Sequence, residues 1–309
     1  MKKTIQYISG LLLILFPSAA SAQALPFLAS ETDIASIGMG GAGVADVSAP
    51  AYSAFTNAAA VPFSEKTADF AAGYTMWQPS YVTSHTLSLG GAYNFRNKLG
   101  FSLGYSCGMY TPYDVTTVAN VKKERFMPAD MQLSAGLSWR FLPFMSVGAN
   151  FGYARMSLAE KYSYNAFVTD LFFMSKLSDF TMALGVSNLG TAVHSSNNRT
   201  FYLPSSVTLG GGYDNTFAEK HGVKVNLDAD YYWTLASVSV AAGAEYTYGD
   251  MVSVRAGYRY AGDNAVLPSY ASVGAGAKLF DISLNLAYVI PIADSPLGNT
   301  FSIGLGYSF

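Results

Sequence analysis

The sequence predicts an all-β fold, a transmembrane antiparallel β-barrel of about fourteen strands with an N-terminal plug or hatch segment. Three observations predict it. Runs that alternate apolar and polar residues follow one another from about residue 67 to Phe309, the pattern of strands with one face to lipid and one to a polar interior. Only 12% of residues are charged, against about a quarter in ordinary soluble chains, while 15% are aromatic and 29 are glycine. A water-soluble domain so poor in charge would carry an oily surface, whereas a barrel in lipid needs one. The third observation is an export signal at the start, with no later apolar run near the eighteen or so residues that a membrane helix requires.

The signal reads Lys2-Lys3, an apolar run from Ile8 to Phe16, and an Ala20-Ser21-Ala22 cleavage site. The reading divides the chain into a signal peptide at 1–22, a periplasmic plug segment at 23–66 and a barrel at 67–309. The plug segment centres on residues 34–61, IASIGMGGAGVADVSAPAYSAFTNAAAV, the last stretch without alternation. Its core, Gly38-Met39-Gly40-Gly41-Ala42-Gly43, satisfies the dinucleotide fingerprint GxGxxG literally. That fingerprint needs a buried strand before it and a crossover helix after it, and neither context is present.

Strands are expected near 67–77, 83–94, 98–110, 128–140, 144–157, 163–175, 179–189, 204–213, 222–233, 236–248, 252–261, 268–279, 281–290 and 299–309. An even number of strands suits a single-chain bacterial outer-membrane barrel. With both termini in the periplasm, the long connections near 111–127, 190–203, 262–267 and 291–298 become extracellular, and tight turns such as Arg96-Asn97, Leu142-Pro143 and Gly249-Asp250 become periplasmic. Aromatic belts are expected at both rims of the outer face: Tyr93, Phe95, Trp139, Phe141, Tyr213, Tyr246 and Phe309 on one side, Trp77, Tyr110, Tyr153, Trp233, Tyr260 and Tyr288 on the other.

The predicted inward face is mostly small. Gly100, Ser102, Gly104, Ser106 and Gly108 share one strand, Ser134, Gly136 and Ser138 the next, and Ser272, Gly274 and Gly276 a later one. Glycine within a strand lets another backbone approach closely, so this wall makes room for an inserted segment. The expected match is Gly38, Gly40, Gly41 and Gly43 threading against that wall, with Asp46 and Asn57 anchoring the segment by hydrogen bonds. Polar density gathers in one region. A three-residue loop at Gly249-Asp250-Met251 sets Glu245 opposite Arg255, and a two-residue loop at Thr234-Leu235 sets Lys224 opposite Glu245. Lys224, Asp228, Asp230, Glu245, Arg255 and Arg259 are therefore expected to form a charge-compensated strip on the inner wall, either a set of structural pairs or a contact for a substrate head group.

Other chemistries find little support. The formal net charge of -2 shows no basic footprint for nucleic acid. Cys107 is the sole cysteine and falls on the outward parity; His85, His194 and His221 are scattered without metal-ligand spacing, so no metal or cofactor is expected. Ser84-His85 and His194-Ser195 are adjacent pairs without a placed acidic partner, and no enzyme activity is expected.

Ala24-Leu25-Pro26-Phe27-Leu28, then Ile37 to Asp46, then Phe55-Thr56-Asn57-Ala58-Ala59, resembles the amino-terminal region of the PorV/PorQ family, outer-membrane barrels of Bacteroidetes similar in turn to FadL-type transporters. Where that family's pattern ends in Asn-Pro-Ala, this chain has Asn57-Ala58-Ala59. The resemblance implies a fourteen-stranded barrel with a hatch and one of two roles. The first is an accessory of type IX-like protein export, with secreted cargo or secretion components as partners; the alternative is a FadL-like passive route for hydrophobic small molecules. Both place the chain in outer-membrane lipid, and neither calls for nucleic acid.

Overall fold

A computed structural model describes residues 24–309 apart from 79–82, 117–122, 160–161, 195–199 and 293–296; the expected export signal lies outside the described residues. The described strands are β1 (Ala68–Trp77), β2 (Ser84–Phe95), β3 (Leu99–Tyr110), β4 (Tyr113–Thr116), β5 (Lys123–Phe126), β6 (Ala129–Leu142), β7 (Met145–Ala159), β8 (Tyr162–Leu177), β9 (Phe180–Gly190), β10 (Val193–His194), β11 (Thr200–Phe201), β12 (Ser206–Phe217), β13 (His221–Tyr232), β14 (Ser237–Tyr248), β15 (Val252–Ala261), β16 (Tyr270–Leu279), β17 (Ile282–Pro291) and β18 (Thr300–Ser308).

Fourteen of them close one antiparallel barrel in the order β1, β18, β17, β16, β15, β14, β13, β12, β9, β8, β7, β6, β3, β2. Closure is made by β1 on β18, with Gly73 opposite Gly304. A closed sheet has no edge, so every strand backbone finds a partner, which is the condition for extended chain to sit in lipid. The remaining four strands form two small hairpins, β4 with β5 and β10 with β11, within the long connections.

The two ends of the barrel differ. At one end the connections between barrel strands are two or three residues long. Their left-handed residues, among them Asn97, Ser178, Glu219, Asp250 and Phe280, supply the positive φ that tight hairpin turns require. Phe309 accepts from the Thr67 and Ala68 amides at this turn end. The opposite, loop end carries the longer connections and both hairpins.

Expected and observed strands agree to within a few residues, with one larger shift. The strand expected at 204–213 runs instead from Ser206 to Phe217. Pro204 has no amide to donate to a ladder, and pairing continues past Tyr213 because Asp214 and Asn215 face Lys224 and Val223.

Alternation on the strands divides the faces. On β3, Phe101, Leu103 and Tyr105 are exposed while Ser102 and Ser106 are buried. Cys107 lies on the outward parity, only partly exposed. Tyr93, Phe95, Trp139, Phe141, Tyr246 and Phe309 are exposed around the turn end. Tyr110 departs from the expected belt. It shares the inward parity of Gly108 and donates to the Asp130 carboxylate inside the barrel, because a phenol can satisfy a buried carboxylate where lipid offers it no partner.

Candidate functional site

Residues 24–66 do not form a free tail. They pass inside the barrel from its loop end to its turn end, and each stretch is held by a different part of the wall. At the loop end the Ala24 amide donates to the Tyr202 carbonyl at 2.9 Å. Leu25, Phe27 and Leu28 pack there against Ala154, Ala166, Val168, Val193 and Leu203. Pro26 sets the first turn of the short 310 helix Pro26–Ala29.

A single-turn helix follows, α1 (Ile34–Gly38), capped by Asp33, whose carboxylate accepts from Ala35 N at 3.1 Å, Ser36 N at 3.2 Å and Ser36 Oγ at 2.8 Å. Ile34 and Ile37 pack on Tyr270, Ala287 and Val289. Burial pushes the Asp33 carboxyl above the usual carboxylate range. Glu31, which accepts from the Thr32 and Asp33 amides, is pushed up to about 7 by burial and then by the neighbouring Asp33 charge.

The glycine run then crosses β14, β15 and β16. A Cβ on Gly38 would stand 3.1 Å from Gly274 Cα, and one on Gly40 would stand 2.6 Å from Tyr258 N. Met39 lies directly over Gly243 and Gly257. Gly40 and Gly41 have φ of 74° and 77°, a conformation that L side chains rarely adopt. Gly43 is pressed against the Ser36 hydroxyl, so its small size serves the segment's own fold. The exposed backbone is satisfied by the wall. Gly40 N donates to Ser272 Oγ at 2.8 Å, Gly40 O accepts from Tyr270 Oη at 3.2 Å, and Gly43 N and Val44 N donate to Asp228 Oδ2 at 2.6 and 3.0 Å.

The last part crosses β2, β3, β6 and β7. Asn57 caps the 310 helix Ala58–Phe63 by accepting from Ala59 N at 2.9 Å and donates to Val44 O at 2.8 Å, so side-chain capping makes the bend at Asn57-Ala58-Ala59. Asn150 donates to the Ser53 and Thr56 carbonyls, Ser146 to Ala59 O at 2.6 Å, Asp69 accepts from Ala51 N, and Asn94 donates to Ser64 O. These wall residues were not singled out from sequence. For Asp69, Asn94 and Asn150 the signal is a larger polar side chain at an inward position where small residues prevail, and Ser146 carries none.

The six charged wall residues separate into two groups rather than one strip. Near the turn end Lys224 Nζ lies 3.1 Å from Asp46, 3.7 Å from Glu245 and 3.9 Å from Asp214, with Ser48 Oγ at 2.5 Å. Arg255 pairs with Glu245 and donates to Asn285 Oδ1 at 2.9 Å. The expected registers are present, Lys224 opposite Glu245 and Glu245 opposite Arg255. Burial alone would raise the Asp46 carboxyl, but the Lys224 ammonium and the Ser48 donors hold it below its ordinary value. Deeper in, Arg259 pairs with Asp230 at 3.3 Å and donates to Ser239 Oγ, Gly40 O and Gly41 O. Asp228 stands between the groups and binds segment amides instead of a cation. The division follows from the segment, which draws Arg259 and Asp228 to its glycine backbone and Lys224 to Asp46.

A cavity of about 1120 Å³ opens at the turn end, bounded by the segment around Asp46 and by the wall around Lys224, Glu245 and Arg255. The adjacent pair Ser84-His85 makes no joint site: Ser84 is buried inside, while His85 points outward and bonds Tyr74 Oη at 2.7 Å. Ser195 lies outside the described residues.

At the level of sequence, no protein-family model and no curated protein matches the chain. Solved structures do. The toluene transporter TodX of Pseudomonas putida is similar over 94% of this chain and 99% of its own, at 12% identity and a TM-score of 0.63. The monoaromatic hydrocarbon channel CymD matches over 90% of this chain and 98% of its own, at 13% identity and a TM-score of 0.63. A FadL homologue of Pseudomonas aeruginosa matches over 94% and 100%, at 13% identity and a TM-score of 0.54. The closed fourteen-stranded antiparallel barrel is thus a fold that the chain shares with these solved structures.

Proposed function

We propose that the protein is a passive outer-membrane route for hydrophobic small molecules, in which residues 24–66 serve as the hatch. The observation that carries this reading is how the segment is attached. It is held inside the lumen by the Lys224–Asp46 ion pair, by hydrogen bonds to wall side chains and by apolar clusters around Leu25, around Ile34 and Ile37, and around Ala59 and Phe63, contacts that a partial displacement could break without disturbing the strand ladders. The structures it resembles, named as hydrocarbon transporters and channels, support the same reading. The export-accessory role that the sequence resemblance placed first yields to this alternative, because those neighbours are transporters of small apolar molecules. In this proposal the turn end, with the carboxy-terminal Phe309, faces the periplasm, whereas Ala24 lies inside the barrel at the opposite, loop end, so that the expected periplasmic placement holds for the carboxy terminus alone; the chain performs no catalysis.

Uptake of labelled toluene by cells producing the protein tests the proposal. Asp228→Ala, which takes from the Gly43 and Val44 amides their acceptor on the wall, loosens the segment. Protein-dependent uptake that rises in Asp228→Ala is the expected result. Unchanged uptake by a folded Asp228→Ala protein overturns the hatch, and the absence of protein-dependent uptake overturns transport.

A further inference from the structure

We propose that the lumen selects its passengers by charge, admitting neutral apolar molecules and turning away those that carry a carboxylate or another fixed anion. The inference rests on the transport reading above and names the substrate class for that route.

The first support is the balance of buried charge. Asp33, Asp69, Asp130, Asp170, Asp228 and Asp230 are buried, whereas Lys224 and Arg259 are the buried cations among the described residues. The carboxylates lie along the whole route: Asp170 near the loop end accepts from Asn188 N at 2.7 Å, Asp228 and Asp230 lie at mid-depth, and Asp69 accepts from Ala51 N toward the turn end. An anion moving through this interior meets carboxylates at each level, and in a poorly hydrated site like charges repel far more strongly than in water.

The second support is independent of that balance and concerns the cations. A carboxylate is recognised by a lysine or arginine with donors to spare. Lys224 is enclosed by Asp46, Glu245, Asp214 and Ser48. Arg255 is held by Glu245 and Asn285. Arg259 donates to Asp230, Ser239, Gly40 O and Gly41 O. These three cations are therefore committed, two of them to carboxylates that border the turn-end cavity and the third partly to the backbone of the segment itself, while Lys176, which also borders that cavity, shares its lining with Asp179, Asp214 and Glu219. An incoming anion would have to displace a carboxylate already in place, whereas a neutral hydrocarbon disturbs none of these pairs. A buried ion pair that loses its partner is costly, so this competition favours the resident groups.

Ligand-observed NMR with the protein in lipid nanodiscs, empty nanodiscs subtracted, tests the proposal with toluene and benzoate near neutral pH. The two probes have similar size and shape and differ in the carboxylate, which is fully ionised there. Toluene is expected to bind at least about tenfold more tightly than benzoate. Glu245→Gln, which releases Arg255 and part of the shell of Lys224, is expected to raise benzoate binding relative to toluene. Benzoate that binds wild-type protein as well as toluene does overturns the charge selection. A folded Glu245→Gln protein with an unchanged ratio overturns the assignment to these committed cations. If neither probe binds, the transport reading fails and the selection fails with it; the wild-type comparison stands even if the variant does not fold.

Discussion

At the scale of single residues, two separable restraints act on glycine in this barrel, a left-handed backbone and a close neighbour. Gly40 combines a left-handed φ of 74° with backbone of Tyr258 where a Cβ would go, Gly249 has the left-handed φ but open space around it, and Gly211 has neither restraint. Alanine substitutions should therefore destabilise in that order. Gly40→Ala should cost about 2–3 kcal/mol, Gly249→Ala about 1 kcal/mol and Gly211→Ala no more than about 0.5 kcal/mol. Urea unfolding of the barrel in lipid vesicles measures all three, and an equal cost at Gly40 and Gly249 would show that the segment does not press on Tyr258. The glycines that matter most, Gly40 and Gly41, were visible as a motif in the sequence. Ser272 and Arg259 were expected on the inward face, but that they and Tyr270 would bond Gly40 was not visible, since those contacts join positions more than two hundred residues apart.

At the scale of the element, the segment is held by groups that titrate in different ranges. Glu31 has a carboxyl raised by burial from 4.5 to about 7, beside Asp33, which is raised as well, and Arg259, which opposes the rise. An acid whose folded value exceeds its unfolded one binds more protons when folded, so its contribution favours attachment at low pH. That contribution declines as pH rises from about 4.5 to about 7 and is constant above. Asp46 shifts the other way, so its pair with Lys224 persists across the same window. The net expectation is a segment attached more firmly at pH 5 than at pH 8, by on the order of 1–3 kcal/mol once partial exposure of Glu31 is allowed for. Hydrogen exchange of the α1 amides, corrected for the intrinsic pH dependence, reads this directly; protection that is equal at the two pH values or greater at pH 8 contradicts it. The division of the charged wall residues into two groups belongs to this scale too. Register placed Lys224, Glu245 and Arg255 side by side from the sequence, because loop length fixes which residues face each other. That Asp228 would hold amides rather than a cation depended on where the segment ran.

At the scale of the whole molecule, a barrel of fourteen strands encloses more space than its own inward side chains occupy, and the segment takes up part of it while a cavity of about 1120 Å³ stays open at the turn end. Removing residues 24–63 should leave a barrel that still folds, shown by heat-dependent migration in gels, and should raise its single-channel conductance several-fold in planar bilayers. A deletion protein that folds and conducts no better than wild type would show that the segment does not obstruct the lumen. The sequence by itself determined the strand number, the positions of the strands, the split between outward apolar and inward small residues, and the tight turns at one end. All of these are local, set by period-two alternation and by turn residues a few positions apart. Only the tertiary structure decided the path of residues 24–66, the inward role of Tyr110 and the commitment of Lys224, Arg255 and Arg259. These arise where the closed wall meets an irregular segment, and contacts of that kind obey no period that a linear sequence records.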